Sequence, residues 1–215
     1  MNYAEVIAEE SAAFLRAVNG NLPARVPSCP EWTVGDLTAH LGGVQRFHAL
    51  HIMRGVTDPP TEHTDVPEDD DALLLWFEEG TKLLLAALDR PLDGPAWNWA
   101  PHTPQTVAFW RRRMSLEAAV HRWDAESARH DAQGFGAGLA EDGIDEVLTV
   151  HHETMPGNVL VRLTDSERTW GNEKTPDAVL EGTASGVFLA LWGRVPLSSL
   201  TTEGDESQVA ALRTG

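Results

Sequence analysis

The chain has 215 residues, 42% of them hydrophobic and 23% charged, a composition that suits a folded globular protein with a substantial core and argues against disorder. Sixteen Lys and Arg against 33 Asp and Glu give a formal charge of −17, a surface that repels phosphate backbones and anionic lipid, so nucleic-acid and membrane partners are not expected. Cys29 is the single cysteine, the N-terminal stretch MNYAEVIAEESAAF carries acids where a signal peptide carries positive charge, and no apolar run reaches membrane-spanning length; a cytoplasmic location is expected.

Val6, Ile7, Phe14, Leu15 and Val18 recur at helical spacing and predict a first helix over about Tyr3 to Val18, closed by Asn19-Gly20-Asn21. Pro23, Pro27 and Pro30 then forbid a continuous helix, and Cys29 is expected in a turn between two of them, with no basic neighbour to activate it as a nucleophile. Thr33 followed by Asp36 reads as an N-cap, so the second helix starts near Val34 and runs to Gly55. His40 sits inside its apolar stripe, as a core-edge imidazole or a metal ligand, with Gly42 and Gly43 allowing another helix close by. His48 and His51 are expected at the surface or an interface.

Thr57 to Asp71 is a proline-rich acidic loop by composition, too irregular in acid spacing for an EF-hand. A third helix follows from about Asp71 to Leu88 and is broken by Arg90-Pro91-Leu92-Asp93-Gly94-Pro95. Trp97, Trp99 and Trp110 then come close in sequence to a long helix over Pro104 to Arg129, with His102 as an outlying candidate ligand.

Within that helix each residue turns about 100°, so Glu117 and His121 stand one above the other and Asp124 falls on the same stripe a turn later. Arg122, Glu126 and Arg129 are expected on the solvated side. A Glu-x-x-x-His pair is half of a divalent-metal site in a helical bundle, or an ordinary surface pair where no third ligand exists.

The glycines of DAQGFGAGLAEDG follow a helix rather than a strand, against a phosphate loop. Leu139 to His151 reads as a short helix with His151-His152-Glu153 as its polar end. From Asn158 the periodicity becomes two, giving strands near Val159 to Leu163, Arg168 to Asn172, Ala178 to Thr183 and Leu197 to Glu203, with helices over Ala184 to Arg194 and Ser207 to Arg213. The pattern predicts an α+β chain, with a four-helix bundle over 1–133 and a small α+β domain over 134–215.

The segments VPSCPEWTVGDLTAHLGGV, LEAAVHRWDAE, LAEDGIDEVL and EGTASGVFLALWGR together resemble the mycothiol-dependent maleylpyruvate isomerase family of actinobacteria, over most of the chain. The resemblance implies a DinB-like metal-binding four-helix bundle followed by a small C-terminal α/β domain. It implies that His40, Glu117 and His121 ligate zinc, that mycothiol is the thiol cosubstrate, and that Arg194 of the C-terminal domain holds a substrate carboxylate. Three protein ligands leave an open coordination position, the arrangement of a catalytic rather than a structural zinc, although two histidines and a glutamate also suit other divalent ions. The expected activity is a mycothiol-using isomerisation or S-transfer on a small electrophile. A metal-dependent hydrolase with Asp124 as base, or a noncatalytic metal-binding or ligand-binding protein, are the alternatives.

Overall fold

The computed structural model describes all residues except 62–63, 101, 153–156 and 215. The chain divides into two compact units, Met1–Gln133 and Gly134–Gly215.

The first unit is built on four helices, α1 (Tyr3–Val18), α2 (Val34–Arg54), α3 (Asp70–Leu88) and α4 (Val107–Ser127). α1 packs chiefly on α4 and α2 chiefly on α3, and the two pairs close into a ring through α1 with α3 and α2 with α4. The start of α2 is fixed by a capping box, in which Thr33 Oγ1 accepts from the Asp36 amide at 3.0 Å and the Asp36 carboxylate accepts from the Thr33 amide at 2.8 Å. Its end is fixed by Gly55, whose positive φ of 66° a residue with a Cβ disfavours.

The proline-rich stretch before α2 is not a simple turn. It forms a small hairpin of β1 (Arg25–Val26) and β2 (Cys29–Thr33), in which Cys29 opens the second strand. Pro27 lies in the connection and Pro30 sits on a two-stranded ribbon, where a missing amide can face away from the partner strand.

The bundle core has two apolar clusters with a polar layer between them. One gathers Ile7, Ala49, Ile52, Leu84, Trp110 and Met114, and the other Phe14, Leu37, Leu41, Phe77 and Ala125. On α1, α2 and α3 the residues between the two levels are Ser11, Gln45 and Thr81, all buried and bonded in series: Thr81 Oγ1 donates to Gln45 Oε1 at 2.9 Å and Gln45 Nε2 donates to Ser11 Oγ at 3.1 Å. On α4 the interval between Met114 and Ala125 holds Glu117 and His121.

The second unit begins with α5 (Ala137–Glu146), which runs on through a π-helical turn over Val147–His151. A four-stranded sheet follows in the order β4-β3-β5-β6, from β3 (Val159–Leu163), β4 (Thr169–Gly171), β5 (Ala178–Gly182) and β6 (Thr201–Gly204). β3 and β5 are parallel and the outer pairs antiparallel. α6 (Ala184–Leu191) packs on α5 where Gly143 lies against the Phe188 ring, and α7 (Glu206–Ala210) lies against β5.

The strand expected over Leu197 to Glu203 is shorter, Thr201–Gly204. The final strand is preceded by a 3₁₀ turn over Leu197–Ser199, begun by Pro196, whose carbonyl accepts from both the amide and the hydroxyl of Ser199. His151 is tied to Thr214 Oγ1 at 3.2 Å, while Glu153 lies outside the described residues. No helix among the described residues is long and apolar enough to cross a membrane.

Candidate metal centre

α2 and α4 are ring neighbours, and the side chains that meet between them are His40, Glu117 and His121. Glu117 Oε1 lies 3.1 Å from His121 Nε2 and 3.7 Å from His40 Nε2, and one ligand atom from each residue falls within 4.8 Å of the other two. The two imidazoles stand edge-on, with ring centroids 5.1 Å apart and planes at 81°. Glu117 and His121 are buried, whereas the His40 side chain is 36% exposed, so the cluster opens towards solvent on the α2 side. Among the described residues this is the group of His, Cys, Asp or Glu side chains arranged to hold a metal ion; His102 is exposed and takes no part.

Asp124 is fully buried one turn beyond His121, with Oδ2 3.0 Å from His121 Nδ1. The carboxylate accepts from Nδ1–H, so Nε2, which faces Glu117 at 3.1 Å, is the nitrogen that gives up its proton when the histidine acts as a metal ligand. Asp124 Oδ1 in turn accepts from Ser28 Oγ at 2.6 Å. From the same hairpin Trp32 packs on the His40 ring at 4.8 Å, so one ribbon supports a histidine of α2 and the partner of a histidine of α4. On the other side of Glu117, Arg113 donates from Nη2 to Oε2, with its guanidinium 5.9 Å from the Trp99 ring centre.

The electrostatics follow from these neighbours. Burial alone would push the His121 pKa down, but the hydrogen bonds and charges of Asp124 and Glu117 outweigh it and raise it to about 9. Burial would push the Glu117 carboxyl up, but Arg113, His121 and His40 hold it well below the usual carboxylate range. Glu117 is therefore an anion at neutral pH.

His51, expected at the surface or an interface, and Arg122, expected on the solvated side, are both buried, and His48 is partly buried. His51 is 1% exposed, ringed by Phe47, His48, Trp97 and Trp110, and His48 packs against Trp110 with ring centroids 3.8 Å apart. The aromatic cover of His51 comes in part from Trp97 and Trp110, which are distant in sequence. Burial first, then the neighbouring His51, lowers the His48 pKa to about 3, so it is neutral. Arg122 is also buried, bonded to Glu10 and Glu126 at 2.7 Å and to the Gln133 carbonyl at 2.6 Å, because α1 lies along that face of α4.

Arg194 lies in the second unit, just past α6 and after Gly193 at a φ of 71°. Its Nη1 donates to the Trp192 carbonyl at 2.8 Å and its guanidinium is 5.6 Å from the Trp192 ring centre. Ser28, Trp32 and Arg113 had not been singled out from the sequence. Only Arg113 carried a readable signal, as the residue four before a glutamate on one helix.

Two family models match the chain: the mycothiol maleylpyruvate isomerase N-terminal domain over residues 4–126 and the corresponding C-terminal domain over residues 138–211. Crystal structures of the mycothiol-dependent maleylpyruvate isomerase, and of a histidine-to-alanine variant of it, superpose with a TM-score of 0.68 at 14% identity, covering 94% of this chain and 91% of theirs. At that identity the likeness is one of fold. Comparison with curated protein sequences gives no match.

Proposed function

Because the chain belongs to the mycothiol maleylpyruvate isomerase family, a family of enzymes, we propose that it is a zinc-dependent, mycothiol-using isomerase or S-transferase acting in the cytoplasm on a small electrophilic, carboxylated compound. The observation that supports this most is the meeting of two imidazole Nε2 atoms and one carboxylate oxygen at a point open to solvent on the His40 side. The donor set fits a divalent ion: two imidazole nitrogens and an anionic oxygen are ligands that zinc accepts, and Asp124, by accepting from His121 Nδ1, leaves Nε2 as the nitrogen that loses its proton to ligate. A zinc ion bound there would supply thiolate at neutral pH by stabilising the anion of a thiol that reaches it.

The chain's own residues have separate tasks in this reading. His40, Glu117 and His121 hold the ion, and Asp124, Ser28 and Trp32 hold the histidines. Arg194 is given, by correspondence with the family, the task of binding a substrate carboxylate, for which a guanidinium offers two parallel donors. In the isomerisation the thiolate sulfur bonds to one carbon of an activated cis double bond, the resulting single bond rotates, and loss of the thiolate restores the double bond as trans. In the transfer the carbon–sulfur bond is kept and the neighbouring carbon takes a proton.

The hydrolytic alternative asked Asp124 to act as base towards water. Its two oxygens are bonded to His121 and Ser28, an arrangement for orienting an imidazole rather than for taking a substrate proton.

The test is elemental analysis of protein purified without chelator, followed by turnover with and without mycothiol. One divalent ion per chain is expected in the native protein and a sharp loss in His40→Ala with the helical content retained. Full metallation of His40→Ala would remove the site, and turnover indifferent to mycothiol would remove the thiol chemistry.

A further inference from the structure

The two oxygens of Glu117 face different partners. Both candidate histidine ligands approach Oε1, and Oε2 is taken by Arg113 from one turn earlier on α4. Arg113 is only 7% exposed, with the Trp99 ring beside its guanidinium, so its charge is weakly screened by water. A buried cation next to the acidic ligand of a cation site looks self-defeating, since it opposes metal uptake. It becomes intelligible when the charges that touch the ligands are added. Glu117, Asp124 and Arg113 together carry one net negative charge, histidines ligate in the neutral form, and a divalent ion therefore leaves the loaded cluster with one net positive charge. Without Arg113 the loaded cluster would be neutral.

We propose, resting on the metal-site reading above, that Arg113 is a positioning residue: it reserves Glu117 Oε2 so that the ion is offered Oε1 alone, and its charge leaves the loaded site in need of one anion, such as a thiolate. The held oxygen keeps Glu117 from chelating with both oxygens and so keeps a coordination position available. The added charge acts on whatever anion arrives there, whichever compound the thiol later attacks.

The experiment uses full-length protein loaded with cobalt(II), which reports thiolate ligation through a sulfur-to-metal charge-transfer band, and 2-mercaptoethanol as a probe with no other recognition group. The wild type is expected to take one cobalt per chain and to develop the band saturably. Arg113→Gln is expected to load cobalt at the same stoichiometry but to bind the probe about tenfold more weakly, the scale of losing one poorly screened charge beside the site. Arg113→Lys keeps the charge and is expected to stay within about threefold of wild type, with a shifted cobalt d–d spectrum because the planar fork on Oε2 is gone. Unchanged probe affinity in a fully loaded Arg113→Gln protein overturns the inference while leaving the metal site standing. A tenfold loss in Arg113→Lys also overturns it, and that arm stands by itself if the Gln variant does not fold. Failure of the wild type to take up one cobalt per chain overturns the metal reading and the inference with it.

Discussion

His121 lies between two carboxylates, and its response to pH follows from that placement. With its pKa raised to about 9, the metal-free fold binds this proton more tightly than the unfolded chain, whose histidine titrates near 6.5. The stabilisation is therefore present in full below about pH 6.5 and is lost as pH rises through about 9. Zinc must displace the same proton, because a ligating imidazole is neutral, whereas Glu117 is already ionised and releases none. Metal uptake at pH 7 is expected to release about one proton per ion, and apparent affinity to climb about tenfold per pH unit until it levels near 9. Calorimetry in two buffers of different ionisation enthalpy measures the count, and a value near zero contradicts it. Asp124→Asn preserves volume but removes the carboxylate charge that faces Nδ1, so zinc affinity should fall by about 10- to 100-fold and the His121 titration move down towards neutrality, as followed by imidazole NMR. Glu117, His121 and Asp124 were legible in the sequence because helical periodicity alone puts them on one stripe. Ser28 was not, because what brings it to Asp124 is a hairpin, and nothing in PSCPEW announces one.

The contact between α2 and α3 rests on an unequal pair of glycines. A Cβ on Gly42 would collide with the Trp76 ring, while one on Gly43 would find Thr64 Oγ1 at 3.9 Å and the ring edge at 4.0 Å. The Trp76 ring cannot simply move aside, because Arg46 stacks on it at 4.8 Å and donates to its carbonyl at 2.7 Å. Gly42→Ala is therefore expected to destabilise the bundle by about 1–3 kcal/mol through overpacking, against a small helix-propensity gain. Gly43→Ala should be neutral or stabilising by up to about 1 kcal/mol. Urea midpoints of the two variants decide it, and equal midpoints would show that the close approach is not rigid. At this scale the four helices and the sheet strands were readable from periodicity and caps. The π turn at the end of α5 and the 3₁₀ turn before β6 were not, because both continue a pattern that a neighbouring proline or packed helix alters only locally.

Across the whole molecule the polar groups are distributed unevenly. The bundle buries a hydrogen-bonded chain of Ser11, Gln45 and Thr81 at the level where α4 carries its acid and histidine, so apolar packing above and below can secure the helices independently of metal. That is why ligand variants are expected to lose metal without unfolding. The second unit has its own core, built around Val161, Leu180, Phe188 and Leu191, and its candidate functional residue is Arg194. In the structure Arg194 Nη1 donates to the Trp192 carbonyl at the helix end, and that bond, which any long cation can make, does not by itself require arginine. Recognition of a carboxylate does, because lysine keeps the charge and loses the planar pair of donors. Arg194→Lys is therefore expected to leave metal content and thermal stability near wild type while raising KM for carboxylated substrates by about tenfold, and Arg194→Ala to raise it further. If both variants turn over a carboxylated substrate with unchanged KM and kcat, Arg194 is only the cap of α6, and the carboxylate must be bound by another group.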